Sequence, residues 1–489
     1  MSKICLFFSE KDFEYDVYSL VRAFYPKEDV QIVYDPKEAA SGEFERLIEI
    51  NYDPGLIHLE IRENASLVCQ RECRVDRIQN RSDAKNELKR MLYLCLKELT
   101  GRDLPWGNLT GIRPTKIVMK MIDEGIRNPE IASYMRDTFF CSREKTALAI
   151  AVANREKALI QDIDYQNGYS LYVGIPFCPS ICLYCSFGSH PISVWKDRVE
   201  AYLQALFKEL SFISKAYKHK TLHTIYVGGG TPSSLSADQL RRLLAHIVAS
   251  FDLSHVVEFT VEAGRPDSID EDKLEAMREF PVTRISINPQ TMQQKTLDLI
   301  GRKHTVEEIY TAFHMAREKG FHNINMDLIV GLPGEGYKEV EDTLNQIKKL
   351  DPEGLTVHSL ALKRATRLNL FKDQYQEISF ENSSAIMDMT AKAAWEMDMQ
   401  PYYLYRQKNI AGNFENVGYA KVDNAGIYNI LIMEEKQIIM AAGAGATTKF
   451  VFDQGNRIER VDNVKDVSNY ISRIDEMLER KEAGIEKWQ

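Results

Sequence analysis

From Gly168 to about residue 361 the chain alternates short apolar runs with helical segments, and this alternation constrains the fold more than any other feature. The runs "SLYVGI", "TIYVGGG", "EFTVEAG", "TRISINP", "NINMDLIVG" and "GLTVHSLAL" read as strands, and each of the first five is followed by a helical segment. "VWKDRVEAYLQALFKELSFISKAY" carries apolar residues at i, i+3 and i+4 spacing, and "SADQLRRLLAHIVASF" opens on a serine able to cap its first free N–H groups. Strand and helix in this order imply parallel strands joined by right-handed crossovers. Six such units fit a partial (β/α)6 barrel of the α/β class. Ligand sites of such sheets lie at the C-terminal ends of the strands.

The flanking segments have other rhythms. Residues 1–100 mix strand-like runs ("KICLFFS", "VQIVYD", "GLIHLEI", "SLVCQRECRV") with a helix-period segment from Ala84 to Leu99, which predicts an N-terminal α+β domain. Residues 101–165 read as a helical connector, interrupted at Asn128-Pro129, and residues 166–400 hold the barrel. Residues 401–489 form a smaller C-terminal region. No fixed-period repeat or low-complexity tract interrupts this order.

Net charge is −9 over 489 residues, so no global basic field would attract nucleic acid or an anionic membrane; an anionic ligand must be met by a local cationic cluster. The apolar run after Met1, from Ile4 to Phe8, is too brief for a secretory signal, and no run of about 18 apolar residues offers a membrane span. Eight cysteines are too sparse for a disulfide framework. The expectation is a cytoplasmic protein with reduced thiols.

Three of those cysteines, Cys178, Cys182 and Cys185, crowd the loop "IPFCPSICLYCSFGSH" directly behind the first barrel strand. Three thiolates on one short loop can hold a soft metal or a cluster. Zinc would need a fourth ligand, which His190 could supply. An iron–sulfur cluster held by three cysteines keeps one iron open, and that iron can chelate the amino and carboxylate groups of a cofactor. The second strand ends in "VGGGTPSSL", whose glycines permit close backbone approach to a ligand; the third supplies Glu262 in "TVEAGRPDS", and the fourth is followed by Gln290 in "INPQT". Successive strand ends thus place polar groups around one mouth.

The CxxxCxxC loop, with Tyr184 before its third cysteine, resembles the signature of radical S-adenosylmethionine (SAM) enzymes. Taken in order with "GGGTPS", "NPQ", "MDLIVGLPGE" and "GAGATT", it resembles the oxygen-independent coproporphyrinogen III oxidase family, in its HemZ-type coproporphyrinogen dehydrogenase branch; "PWGNLTGIRPTKI" is also HemZ-like. The resemblance implies that Cys178, Cys182 and Cys185 ligate a [4Fe-4S] cluster. It implies contacts to the cluster-bound SAM from Tyr172, Tyr184, Gly229 and Glu262. Gly230, Thr231, Gln290, Arg302, Asp327 and Ala361 match positions that line a second SAM site in the family prototype. Two departures stand out: the prototype's fourth cysteine is replaced by Phe187, as in the heme-chaperone branch, and its histidine before the first cysteine by Gly174.

The implied substrate is a reduced tetrapyrrole with four propionates, covered by residues 401–489 and served by a low-potential electron donor. A 5′-deoxyadenosyl radical would take hydrogen from a propionate β-carbon, and loss of carbon dioxide and one electron would leave a vinyl group. Lys363, Arg364, Arg367, Arg406, Lys408 and Lys449 are the candidate partners for carboxylates, and "PYYLY" could stack on a macrocycle or belong to the core. A heme-binding chaperone and an enzyme acting on another tetrapyrrole are the alternatives. Cys69 and Cys73 form a second CxxxC that reads as ordinary strand residues, and His304 and His358 read equally as ligand contacts or structural histidines.

Overall fold

The computed structural model describes residues 3–41, 44–111, 113–186, 188–361, 382–407, 413–452 and 455–488. Two compact units result, one from residues 1–154 with 405–416, the other from 155–404 with 417–489.

The first unit is an α+β assembly. Strands β1 (Lys3–Phe8), β2 (Asp29–Val33), β3 (Arg46–Asp53), β4 (Leu56–Glu63) and β5 (Ser66–Arg74) form a sheet in the order β2-β1-β3-β4-β5. β1 runs parallel to both neighbours, while β3, β4 and β5 make an antiparallel meander. β1 is an interior strand, paired on both sides, and is apolar on both faces. Ile4, Leu6 and Phe8 join a core built with the helices Glu14–Phe24 and Arg81–Thr100, and Cys5 and Phe7 join a smaller cluster with Val33 and Ala39. The helical break expected at Asn128-Pro129 falls at residues 124–127. Pro129 instead sits in the first turn of the helix Asn128–Phe139, where a missing N–H costs nothing. "PWGN" is structural: buried Trp106 donates its indole N–H to Glu415 at 2.7 Å, and Glu415 pairs with Lys145 at 2.6 Å.

One sulfur pairing departs from the expectation of reduced thiols. Cys69 on β5 and Cys95 in the helix Arg81–Thr100 form a disulfide, their Cα atoms 6.1 Å apart. The helix packs on the sheet face that carries Cys69, a proximity that spacing along the chain does not reveal.

The second unit holds the strand–helix series. β6 (Gly168–Ile175), β9 (Thr221–Gly229), β10 (Glu258–Gly264), β11 (Arg284–Ile287), β12 (Ile324–Val330) and β13 (Gly354–Ser359) pair in sequence order, all parallel. The six-stranded parallel arrangement is as the alternation predicts. Ser236 caps the helix Ala237–Ser250 as expected, its Oγ accepting from the Gln239 N–H at 3.2 Å while Gln239 Oε1 accepts from the Ser236 N–H at 3.0 Å. Between β6 and β9, the short strands β7 (Phe177–Cys178) and β8 (His190–Pro191) pair and close the cysteine loop.

The C-terminal region does not stand apart from this sheet. β16 (Ile438–Ala442) adds a seventh parallel strand beside β6, and β17 (Thr447–Phe452) and β18 (Arg457–Asp462) extend the edge antiparallel; at the other edge, β14 (Gln400–Tyr405) and β15 (Asn416–Ala420) follow β13. "GAGATT" lies at the end of β16. Its Gly443 has φ +110, and a Cβ there would sit 2.5 Å from the Gly174 carbonyl. The Gly443 N–H donates to Glu209, which is fully buried and paired with the equally buried Lys481 at 2.5 Å; Asn463 and Tyr470 complete the network. No helix among the described residues is long and apolar enough to cross a membrane.

Candidate functional site

Because the six strands are parallel, their C-terminal ends share one side. Cys178, Cys182 and Cys185 follow β6 there, the first two buried and the third half-buried. The loop is pinned from two directions. The Gly230 N–H donates to the Ile175 carbonyl at 2.7 Å and the Thr231 N–H to the Phe177 carbonyl at 2.8 Å. From the other side, Leu183 N–H donates to the Ile300 carbonyl at 3.0 Å and Ser180 Oγ to the Gly301 carbonyl at 3.1 Å.

The glycines of "VGGGTP" have specific steric causes. A Cβ on Gly228 would lie 3.0 Å from the Glu262 carboxyl, one on Gly229 (φ +114) 3.0 Å from the Ile175 carbonyl, and one on Gly230 2.6 Å from the Phe177 carbonyl and 2.9 Å from Cys178 Sγ. Thr231 donates its hydroxyl to Cys178 Sγ at 3.5 Å. Burial pushes the Cys178 thiol up to about 11, against the pull of the Thr231 hydroxyl.

Beside the cysteines, Tyr184 accepts from Arg302 Nη1 at 3.1 Å, and Arg302 Nη2 donates to the Asn288 carbonyl at 2.5 Å. Tyr172 and Tyr226 are register partners on β6 and β9, their rings 6.3 Å apart, and Tyr428 stacks on Tyr226 at 4.5 Å. Tyr226 donates to Glu262 Oε1 at 2.5 Å; burial raises the Glu262 carboxyl to about 7, against the pull of that hydrogen bond. Gln290 follows β11 at φ +69, a left-handed conformation costing a non-glycine residue about 1 kcal/mol. Two sheet-type bonds hold it there: its N–H to the Asp327 carbonyl, and Ile329 N–H to its own carbonyl, both 2.9 Å. Asp327 accepts from Asn325 at 2.7 Å and lies 3.9 Å from His358. Ala361 comes two residues after β13.

The cysteines and the positions expected to contact cofactor thus lie at or just beyond the C-terminal ends of the parallel strands, whereas the expected carboxylate partners do not gather there among the described residues. Phe187, Lys363, Arg364, Arg367 and Lys408 lie outside the described residues. Arg406 belongs to the first unit and is buried there. Its guanidinium donates to the carbonyls of Leu109 at 2.6 Å and Asn413 at 3.3 Å and to the side-chain oxygen of Asn413, so it is engaged inside that unit rather than presented to substrate carboxylates. Lys449 lies in β17 opposite Arg460. Tyr402 and Tyr403 of "PYYLY" are core residues, and His304 is fully buried. A residue at 174 larger than glycine would meet the Ala442 carbonyl and the Tyr172 ring, each 3.3 Å from a Cβ.

The radical SAM superfamily model matches residues 172–347. The chain is 40% identical over 407 residues to the oxygen-independent coproporphyrinogen-III oxidase-like protein HemZ of Bacillus subtilis (strain 168), covering 82% of this chain and 81% of that protein. The chain belongs to the HemZ family of radical SAM proteins. Another relative, the heme chaperone HemW of the same organism, is 41% identical over 201 residues, 40% of this chain and 52% of HemW. Among solved structures, coproporphyrinogen III oxidase (HemN) of Escherichia coli superposes with TM-score 0.52 at 22% identity, covering 66% of this chain and 73% of that one, which establishes a shared fold.

Family membership implies a [4Fe-4S] cluster and SAM, and the residues fit them. Cys178, Cys182 and Cys185 lie on one loop behind β6, an all-thiol donor set of the soft kind that an iron–sulfur cluster takes. The His190 ring packs edge-on against Trp195 at 5.1 Å. Gln290 Oε1 and Asn288 Oδ1 are buried acceptors without a protein partner, as a ligand's N–H or O–H groups would require. Sequence reasoning missed Tyr226, whose alternation with Gly228 on one strand face was a usable signal, and Tyr428, which carried none.

Proposed function

We propose that this protein catalyses oxygen-independent oxidative decarboxylation of coproporphyrinogen III to protoporphyrinogen IX. The observation that carries the reading is the 40% identity to HemZ across most of both chains, combined with the cysteine loop, glycine loop and strand-end polar groups at one mouth. When bound, the cluster and SAM together supply a one-electron cleavage that yields a carbon-centred oxidant.

The chain's own residues do the rest. Cys178, Cys182 and Cys185 would hold the cluster, and Gly228, Gly229 and Gly230 keep the strand end bare for cofactor. Glu262, oriented by the Tyr226 hydroxyl, accepts from the cofactor's hydroxyl or amino groups. Tyr172 and Tyr184 wall the site, the latter fixed by Arg302. Gln290, Asp327, Thr231, Gly230, Arg302 and Ala361 are proposed to contact a second SAM, and residues 401–489 to contribute to the substrate cover. The buried side chains at the strand ends would exclude water and help to orient a propionate of the substrate. The carboxylate-binding cations are proposed among Lys363, Arg364 and Arg367.

The test is an anaerobic assay of reconstituted full-length protein with SAM, a low-potential reductant and coproporphyrinogen III, following 5′-deoxyadenosine and tetrapyrrole together. Protoporphyrinogen IX formed with deoxyadenosine, both lost in Cys182→Ala, is the expected result. The HemW likeness favours a second reading, heme delivery without decarboxylation. That reading requires stable heme binding by the purified protein and an unchanged tetrapyrrole in the assay.

A further inference from the structure

The stretch "GRPD" after Glu262 has no part in the reading above, yet it reaches the cysteine loop. Gly264, at φ +72, turns the chain at the end of β10, and Arg265 follows with 4% of its surface exposed. Its Nε and Nη2 grip both oxygens of Asp267 at 2.9 and 2.6 Å. This clamp leaves Nη1 to the loop. It donates to Ser180 Oγ at 2.7 Å, to the Ser180 carbonyl at 3.1 Å and to Cys182 Sγ at 3.7 Å. Next to Asp267, at 3.8 Å, His304 is fully buried and both its ring nitrogens lack partners; burial pushes it down to about 3, so it is a neutral imidazole that adds no second cation.

We propose that Arg265 is a positioning residue that sets the reduction potential of the cluster, its charge held against Cys182 by Asp267. Reduction adds negative charge to the cluster and its thiolates. A buried cation with an N–H directed at one sulfur stabilises the reduced form, and in a water-poor site that attraction is little screened. Asp267 orients the guanidinium and offsets part of its charge, so the two side chains push the potential in opposite directions. The inference rests on the cluster that family membership implies and is independent of which tetrapyrrole is bound.

The test is an anaerobic redox titration of reconstituted full-length protein, followed by electron paramagnetic resonance without tetrapyrrole, with iron content measured for every variant. Arg265→Gln removes the cation and leaves Asp267 uncompensated. Reduction should become at least about ten-fold less favourable, 59 mV lower for one electron. Asp267→Asn keeps the cation and should shift the equilibrium the opposite way, while Arg265→Lys should stay within about three-fold of the parent. A role confined to bracing the loop predicts no shift, or shifts of one sign in both variants, and either result overturns the proposal. Should Arg265→Gln fail to hold iron, the upward shift of Asp267→Asn decides alone, and its absence refutes the assignment.

Discussion

Tyr226 and Glu262 are joined across adjacent strands by a 2.5 Å hydrogen bond, phenol to carboxylate, at the level where β9 gives way to its glycine loop. A carboxyl so placed is raised by burial to about 7, which makes the protonation state of the mouth sensitive near neutrality.

The stability consequence has a definite sign. Unfolded Glu262 would titrate near its ordinary 4.5, whereas the folded group does so near 7, so its contribution is full below pH 4.5 and is lost as pH rises through 7. The loss is at most about 3 kcal/mol. In the cofactor-free protein, the unfolding midpoint of the parent relative to Glu262→Gln should fall between pH 5 and 8. A difference that is flat or rises over that interval contradicts the assignment.

Gly230→Ala should abolish iron retention. The added Cβ would fall 2.6 Å from the Phe177 carbonyl and 2.9 Å from Cys178 Sγ, both fixed by the loop's own hydrogen bonds. Iron per chain after reconstitution is the measurement, and a full complement in the variant would show that the loop yields.

Lys481→Met removes the partner of a fully buried carboxylate and should destabilise the second unit by about 3–5 kcal/mol. Adding Glu209→Gln should recover part of that loss. Denaturant unfolding of the two variants provides the comparison, and a single variant as stable as the parent would contradict the pairing.

The cysteines should divide into two classes. Alanine at Cys178, Cys182 or Cys185 should eliminate the cluster, while Cys69→Ser and Cys95→Ser should keep full iron and lose about 3 kcal/mol of first-unit stability under oxidising conditions. Peptide mapping after alkylation should recover Cys69 linked to Cys95; two freely alkylated thiols would remove that bond.

The parallel series, the Ser236 cap, the cysteine loop and the glycine-rich strand end were all legible in the sequence, because each depends on residues within a few positions of one another. Apolar period distinguishes strand from helix, crossovers force parallel strands, and parallel strands bring their loops to one end. The glycines at 228 to 230 could be located the same way, although the atoms that forbid side chains there, the Phe177 carbonyl and the Glu262 carboxyl, come from the cysteine loop and from β10.

What only the tertiary structure decided depends on long-range register. β16 joins β6 from more than 250 positions away and brings "GAGATT" onto the buried Glu209. Tyr428 arrives on Tyr226 from a late helix, Cys95 on Cys69 across a helix–sheet contact, and Arg265 on Cys182 across two strand ends. Arg406 shows the same limit from the other side. An arginine in a basic stretch reads as a solvent-facing cation, and only the fold around Trp106 and Leu109 makes it a buried donor to carbonyls. Local pattern determines which elements form and which ends they share; which distant side chains meet there is settled by packing, since burial and hydrogen-bond satisfaction are properties of the assembled chain.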